Sequence, residues 1–215
     1  MLGLAPRDGP ISRVLCLGAH SDDIEIGCGG TVLKLVERHA SLHVDWVVLS
    51  ADGQRADEAR AGAAAFLGGA NCRVTLRNFR ERYFPYTGAE IKGFFDELGN
   101  STSPDVVFTH HLGDRHQDHR LIAELTWNTF RDQLILEYEI PKYEGDLGQP
   151  NAFVHLERGT AERKVDNILE TFVSQRPRHW FSAETFWSTL RLRGIESRAP
   201  SGYAEAFTCR KLVLS

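Results

Sequence analysis

The 215-residue sequence lacks the features that mark secreted, membrane and nucleic-acid-binding proteins. Its four cysteines show no Cys-x-x-Cys spacing, which predicts reduced thiols and no disulfide framework. No apolar run approaches the ~20 residues of a membrane-spanning helix, and the amino terminus has neither the charged start nor the apolar core of a signal peptide. A formal net charge of −4 offers no basic surface for nucleic acid. These absences predict a cytoplasmic protein with no nucleic-acid partner and no stable membrane insertion.

Strand-like and helix-like segments alternate as far as Tyr138, which is typical of βαβ units around a parallel sheet. Apolar runs at 14–17 and 106–108 fit strands that are covered on both faces. We therefore predict an α/β, Rossmann-like fold with a mostly parallel twisted sheet and helices on both faces. With 42% hydrophobic residues the chain supports one core, so residues 1–215 are expected to form a single domain. The predicted strands span 13–17, 44–49, 73–76, 106–109, 134–138 and 203–214, and the predicted helices span 30–38, 56–67, 89–97, 118–130 and 161–173.

Two stretches between these segments are predicted to be loops. The glycine-rich stretch 24–31 lies between the first strand and the first helix. It does not fit a dinucleotide-binding loop, because the spacing of Gly27 and Gly29 requires a third glycine where the chain has Val32. The second stretch, 141–151, is too rich in Gly and Pro for the interior of a helix or strand. Long loops near a site often form lids or binding walls.

Two segments rich in His and Asp come after predicted buried strands. His20, Asp22 and Asp23 follow the first strand, and the His-Gln-Asp-His segment 116–119 comes after the fourth. Because the carboxyl ends of parallel strands meet at one edge of a sheet, we expect the two segments to meet there. Zinc prefers neutral imidazole and carboxylate, and catalytic zinc sites usually have three protein ligands and an open position for water. His20, Asp23 and one of the later histidines would supply that set.

The same residues carry a family resemblance. The segments Ala19-His20-Ser21-Asp22-Asp23, Gly27-Cys28-Gly29-Gly30-Thr31 and His116-Gln117-Asp118-His119 resemble the motifs of the PIG-L (LmbE-like) family of metal-dependent N-deacetylases. The chain departs from the first motif at Ser21, where the family usually has Pro, and at Ile24, where it usually has Glu. Neither departure removes a ligand or the base, and the adjacent Glu25 is a candidate for a nearby acidic role.

This resemblance implies one divalent metal ion per chain, with zinc preferred and Fe²⁺ accepting the same ligands. The implied ligands are His20, Asp23 and His119. Asp22, which cannot easily be a ligand alongside Asp23 on the same tight turn, is the implied general base that takes a proton from the activated water.

Two further roles are expected for residues of the second segment. A protonated His116 is expected to stabilise the oxyanion, and Asp118 is expected to accept a hydrogen bond from His116 that keeps the ring charged. Spacing alone leaves the exchange of His116 and His119 open. The other polar residues of this region are expected to belong to the loop or to contact the ligands from outside, namely His110, His111 and Asp114.

The predicted reaction is removal of the N-acetyl group from an amino sugar or a sugar conjugate, which is free, nucleotide-linked or lipid-linked. The expected partner is therefore a small-molecule sugar or sugar conjugate, and a homo-oligomer is left open. The alternative is a metal-dependent amidase or phosphoesterase with a different small-molecule substrate. Phosphoesterases more often use two ions and more carboxylate ligands.

Four residues are candidates for substrate binding. Arg55 follows the second strand and corresponds to an arginine that the resemblance assigns to a hydroxyl or phosphate, and a surface pair with Glu58 would explain it nearly as well. Lys142 and Tyr143 are candidates for contacts to a phosphate or diphosphate. Glu205 lies in an otherwise apolar strand, where it either reaches the sugar or points to solvent.

Overall fold

The computed structural model describes residues 11–213. The strands are β1 (Arg13–His20), β2 (His43–Ser50), β3 (Asn71–Leu76), β4 (Val106–His110), β5 (Leu134–Tyr138), β6 (Ala152–Leu156) and β7 (Tyr203–Thr208). The helices are α1 (Asp23–Arg38), α2 (Gln54–Leu67), α3 (Gly88–Ser101), α4 (Gln117–Thr129), α5 (Arg158–Thr171) and α6 (Ala183–Glu196), with 3₁₀ turns at Phe84–Tyr86 and Val173–Gln175. The predicted loop 141–151 contains neither helix nor strand.

The strands form one sheet in the order β3-β2-β1-β4-β5-β7-β6. The first five are parallel, and β7 is antiparallel to both β5 and β6. The order reverses between β1 and β4, which are paired at Cys16 and Phe108. In open α/β sheets the crevice at such a switch point, outside the carboxyl ends of the strands, is the usual ligand site.

The sheet has helices on both faces. One apolar layer packs α1, α2, α5 and α6 against side chains such as Trp46 and Phe108. The other packs α3 and α4 against alternate side chains such as Leu15 and Val107. Strands buried on both faces read as continuous apolar runs, which is why these strands were recognisable. The predicted α/β fold is confirmed. None of the helices in the described part of the chain has the length and hydrophobicity needed to cross a membrane.

Helix α1 begins well before its predicted start at position 30. The stretch 24–31, which was predicted to be a loop, forms its first turns. Its glycines serve close packing, because a Cβ at Gly27 would overlap the ring of Tyr138 and one at Gly29 would overlap Phe66. Glycine costs a helix about 1 kcal/mol relative to alanine, and the close approach of α1 to its neighbours offsets that cost.

The carboxyl-terminal part of the chain departs most from prediction. Strand β6 and helix α6 were not predicted, and β7 is shorter than the predicted strand 203–214, whose last residue lies outside the described residues. The sequence of α6 does not show the usual amphipathic pattern of a helix, because Leu192 and Ile195 are exposed whereas Arg193 is buried. Arg193 donates to both carboxylate oxygens of Glu139, at 2.6 and 2.7 Å. Strand β6 depends on its antiparallel pairing with β7.

Candidate metal and catalytic site

The switch point brings the two His- and Asp-rich segments together. His20 is the last residue of β1, Asp22 is the N-cap of α1, and Asp23 is its first residue. The segment 116–119 begins α4, shortly after β4 ends at His110. Because β1 and β4 are parallel neighbours, both segments lie at the same carboxyl edge of the sheet.

Donor atoms of His20, Asp23 and His119 form a compact group that we call the donor triangle. Nδ1 of His20 lies 3.1 Å from Nε2 of His119 and 3.2 Å from Oδ2 of Asp23, and Nε2 of His119 lies 3.5 Å from Oδ1 of Asp23. The two rings face different oxygens of Asp23, so one zinc-sized ion, whose tetrahedral ligands are about 3.3 Å apart, would contact this carboxylate through either or both of its oxygens. The fold thus brings together the three residues predicted to bind metal.

Each imidazole of the donor triangle has a carboxylate on its other nitrogen. Oδ2 of Asp118 lies 3.2 Å from Nε2 of His20, and Oδ2 of Asp114 lies 2.9 Å from Nδ1 of His119. Such contacts fix the tautomer and the orientation of metal-binding histidines. Burial opposes the charge of Asp114, but His119 outweighs it and holds the pKa of this carboxyl well below its usual range. In the sequence, the only sign of this role was the place of Asp114 just before segment 116–119.

The contacts of Asp118 correct the prediction that it accepts a hydrogen bond from His116. Its carboxylate accepts hydrogen bonds from the backbone N–H groups of Arg82 and Phe84, at 2.5 and 3.2 Å, and contacts His20 in place of the His116 ring. The backbone N–H of Asp118 donates instead to Nδ1 of His116 at 3.3 Å. The reason is helix geometry, since His116 is the N-cap of α4 and a cap side chain accepts from the first turn of the helix.

The same hydrogen bond corrects the predicted charge of His116. Burial, reinforced by the neighbouring His20, lowers the pKa of His116 below its usual value. A neutral ring whose Nδ1 accepts a hydrogen bond carries its proton on Nε2, so the ring remains a donor without a positive charge. Donor atoms of His20, His116 and His119 also lie within 4.8 Å of one another. The geometry therefore leaves the exchange of His116 and His119 open.

The pKa values of the two histidines of the donor triangle are shifted in opposite directions. Burial opposes the charge of His20, but the carboxylates of Asp23 and Asp118 outweigh it and raise the pKa of His20 to about 10. Burial, together with the nearby His110, lowers the pKa of His119 to about 3. Metal ligands must be deprotonated, so metal binding at this triangle would displace the proton held by His20.

Asp22, the predicted general base, lies beside the donor triangle and is 3% exposed. Nη2 of Arg55 donates to its Oδ1 at 2.8 Å. Burial raises the pKa of Asp22 even though Arg55 opposes the shift. Nη1 of Arg55 contacts Oγ of Ser174 at 3.3 Å and Oε2 of Glu58 at 3.5 Å. Arg55 is therefore at the site, but protein groups engage both of its terminal nitrogens, and Glu58 is among them.

His110 has a larger part in the site than the sequence indicated. It is fully buried, its ring stacks on that of His119 at 3.9 Å, and Nε2 lies 3.3 Å from Oδ2 of Asp23. Donor atoms of these three residues also form a candidate metal group. Nε2 of His110, however, accepts the backbone N–H of Ala19 at 3.0 Å, which occupies the lone pair that a metal would need. The sequence feature that could have indicated this part of His110 in the site is its position at the end of a buried strand.

Glu25 is fully buried on the first turn of α1, and neither carboxylate oxygen has a hydrogen-bond partner among residues 11–213. Burial, with Asp22 and Asp23 nearby, raises the pKa of Glu25 well above its usual value. The side chain packs against α2 at Gly62, where a Cβ would overlap Oε1. The raised pKa favours the neutral carboxyl, so Glu25 is poorly suited to supply the acidic charge expected of it.

Lys142 does not present a free charge to a substrate. Its ammonium lies 3.0 Å from Oδ2 of Asp114 and 2.6 Å from Oδ1 of Asp146. The expectation of a phosphate contact is therefore corrected, because internal carboxylates already neutralise this lysine. Tyr143 is 69% exposed, and its hydroxyl accepts the backbone N–H of His179 at 3.3 Å. It stays a candidate for contact with a substrate.

Glu205 is buried between β7 and α1, and its contacts correct the prediction that it reaches the sugar or points to solvent. One of its carboxylate oxygens accepts the backbone N–H of Gly30 at 2.8 Å, and the other accepts that of Thr31 at 2.6 Å. The ammonium of Lys164 forms an ion pair with the same side chain. Glu205 neither reaches a sugar nor points to solvent, because these buried contacts use both of its oxygens.

Comparison with known proteins shows similar chains. This chain is 31% identical over 141 residues to the uncharacterized deacetylase YaiS of Escherichia coli K12, covering 60% of this chain and 74% of that protein. It resembles the N,N'-diacetylchitobiose deacetylase from Pyrococcus horikoshii, with a TM-score of 0.70 and 20% identity over 92% of this chain and 83% of that one. It also resembles GalB, the 4-carboxy-2-hydroxymuconate hydratase from Pseudomonas putida KT2440, with a TM-score of 0.75 and 17% identity over 95% and 98% of the two chains. Both structures share the fold but differ in reaction, so fold alone does not assign activity.

Comparison of the sequence with a family model assigns the chain to a family, which the shared fold alone does not do. The PIG-L family model, described as GlcNAc-PI de-N-acetylase, matches residues 15–130. This match covers more than half of the chain and includes both the donor triangle and segment 116–119. The resemblance seen in the sequence is therefore confirmed, and the chain belongs to the PIG-L family of deacetylases, which are hydrolases.

Proposed function

We propose that this enzyme removes the N-acetyl group from an amino sugar or a sugar conjugate, with one divalent metal ion held by His20, Asp23 and His119. The observation that carries the proposal is the donor triangle beside the buried carboxylate of Asp22. Zinc is the proposed metal because two imidazoles and one carboxylate suit its tetrahedral coordination, and Fe²⁺ accepts the same donors.

The ion, when bound, lowers the pKa of a water molecule and polarises the acetyl carbonyl. Asp22 accepts a proton from the attacking water, and the water oxygen bonds to the acetyl carbon. The Nε2–H of His116 donates a hydrogen bond to the developing oxyanion. The C–N bond then breaks, the amine leaves with the proton from Asp22, and the products are acetate and a free amine.

Arg55 prepares Asp22 for this role. Because its guanidinium holds Oδ1 of Asp22 at 2.8 Å, Oδ2 is the oxygen left to accept the proton. The pKa of Asp22 is raised by burial and so lies closer to neutral pH, where a general base works best. Arg55 is thus proposed as a residue that positions the base, in place of the substrate contact first expected.

The amino-sugar substrate is supported by the names of related proteins. The family is described by its activity on GlcNAc-PI, and one structural relative is a deacetylase of N,N'-diacetylchitobiose. Both names describe N-acetylated sugars. The exposed Tyr143 is the proposed contact for the sugar or its conjugate among the four residues first considered.

The test is acetate release by purified protein with Zn²⁺ or Fe²⁺, measured on free, nucleotide-linked and lipid-linked N-acetylhexosamines. The key variant is Asp22→Asn, since an amide cannot accept the proton. Turnover should fall by about 10²–10⁴-fold, the usual contribution of a positioned proton acceptor, while metal content and folding are retained. Near-normal acetate release, or loss of the metal, would remove Asp22 from the proposed role.

Asp57→Asn is the matched control. Asp57 lies on α2 with its side chain 82% exposed and paired only with the exposed Arg60, so this change should leave turnover and metal content unaltered. Metal content should be one ion per chain. Two ions per chain, with phosphate release from phosphate esters and no acetate release, would favour the phosphoesterase alternative.

A further inference from the structure

We propose that Lys142 is a positioning residue that sets the metal affinity of the site, because it holds Asp114 and, through Asp114, the ligand His119. The inference rests on the proposed metal site. It gives Lys142 a function different from the phosphate contact that its sequence suggested. It also makes the loop 141–151 a structural support of the site instead of a lid.

The first step is the contact between Lys142 and Asp114. The Nζ of Lys142 lies 3.0 Å from Oδ2 of Asp114, and this same oxygen lies 2.9 Å from Nδ1 of His119. Oδ1 of Asp114 accepts the backbone N–H of His116 at 2.8 Å. One carboxylate therefore holds both His119 and His116, and Lys142 holds that carboxylate.

The second step is the anchor on the other side of Lys142. Its Nζ lies 2.6 and 2.8 Å from the two carboxylate oxygens of Asp146, and Oδ2 of Asp146 accepts the backbone N–H of Arg115 at 2.7 Å. Asp146 belongs to the loop 141–151, whereas Arg115 lies between Asp114 and His116. Lys142 and Asp146 therefore tie this loop to the chain that carries the two histidines.

The third step is the state of the lysine itself. The side chains of Lys142, Asp114 and Asp146 are 9%, 3% and 6% exposed, so water screens their charges little. An ammonium has three donors, and Lys142 donates to both oxygens of Asp146 and, at 3.5 Å, to the carbonyl of Ile140, while Asp114 forms an ion pair with the same ammonium. A phosphate would have to displace a buried carboxylate to reach this group.

Removal of the lysine charge has a defined consequence. Asp114 and Asp146 would then face each other without a shared cation, and a buried charge that loses its partner is strongly unfavourable. Asp114 would then move away from Asp146, which weakens its hold on Nδ1 of His119. Loss of such an outer partner of a metal-bound histidine typically costs about 10–100-fold in metal affinity.

The test compares Lys142→Met with wild type and with Lys92→Met, whose lysine lies on α3 with its side chain 44% exposed. Zinc affinity is measured by competition with a chelating indicator, and KM for acetate release is measured at saturating zinc. Lys142→Met should bind zinc about 10–100-fold more weakly with little change in KM, and Lys92→Met should match wild type. Unchanged zinc affinity with a raised KM would overturn the inference and assign Lys142 to the substrate.

Two further variants cover a failure of Lys142→Met to fold. Lys142→Arg keeps the charge and should retain more zinc affinity than Lys142→Met, whereas Asp146→Asn keeps the lysine, removes its outer anchor and should also weaken zinc binding. If Asp146→Asn binds zinc as wild type does, the inference fails while the proposed metal site stands. If wild type itself binds no zinc, the metal site and the inference fail together.

Discussion

Asp45 lies at the amino edge of the sheet and Asp22 at the carboxyl edge, and both are buried carboxylates with different surroundings. Around Asp45, the guanidiniums of Arg13 and Arg73 and the hydroxyl of Thr102 donate at 2.8–2.9 Å, and His43 lies at 3.3 Å. Burial opposes its charge, but these donors outweigh burial and lower the pKa of Asp45. At this edge every oxygen of the buried acid has a partner.

The carboxyl edge has more acids than cations to pair with them. Among the buried acids around the donor triangle are Asp22, Asp23, Glu25, Asp114 and Asp118. Among residues 11–213 the permanent cations in contact with these side chains are Arg55 and Lys142. Of the two donor-triangle histidines only His20 has a raised pKa, and Glu25 has no hydrogen-bond partner within the described part of the chain. Stability alone does not explain such a concentration of buried carboxyl groups, whereas a bound cation and proton transfer do.

The largest expected effect is at the donor triangle. His119→Ala removes a proposed ligand and should reduce metal affinity by more than the 10–100-fold that an outer partner costs. His116→Ala should keep the metal and lose turnover, because it removes the oxyanion donor and no ligand. Metal content after dialysis and acetate release separate the two variants. The opposite pattern would exchange the roles of His116 and His119.

A smaller effect is expected at the amino edge, where a substitution should change the free energy of unfolding and leave zinc affinity unchanged. Asp45→Asn leaves two guanidiniums without their anion and should lower the free energy of unfolding by about 2–3 kcal/mol, with zinc affinity unchanged. The pKa of Asp45 is lowered in the fold, so its stabilisation is present above about pH 4 and is lost as pH falls through the lowered pKa. Urea unfolding at pH 7 and pH 3 should therefore show a smaller difference between variant and wild type at pH 3. If Asp45→Asn lost zinc affinity but kept its stability, the proposed difference between the two edges would be wrong.

The smallest effect has the opposite sign. Glu25→Met replaces a neutral, unpartnered carboxyl with an apolar side chain of similar length and should stabilise the metal-free protein by about 1–2 kcal/mol at pH 8. The pKa of Glu25 is raised in the fold, so above its usual pKa the unfolded chain loses this proton while the folded chain keeps it. The gain should therefore grow with rising pH and be smaller near pH 4.5. Thermal unfolding across that range measures it, and a gain that shrinks as pH rises would show that Glu25 is charged in the fold.

The parallel part of the sheet and the ligand candidates could be predicted because their signals are local. Apolar runs marked β1 and β4, and the His and Asp residues directly at or after the strand ends marked the edge where they meet. Strand β6 and helix α6 could not be predicted in this way. The first depends on pairing with β7, and the second buries Arg193 against Glu139 while it exposes Leu192.

Residue types and their spacing were enough to identify the α/β fold, the family and the metal-ligand candidates, because each of these follows from short stretches of chain. The partners of the charged groups required the folded protein. Asp118 contacts His20 and Glu205 contacts Lys164, and each partner lies far away in the sequence. A buried charge takes the partner that the packing of distant elements brings within about 3 Å, and no local pattern encodes that choice.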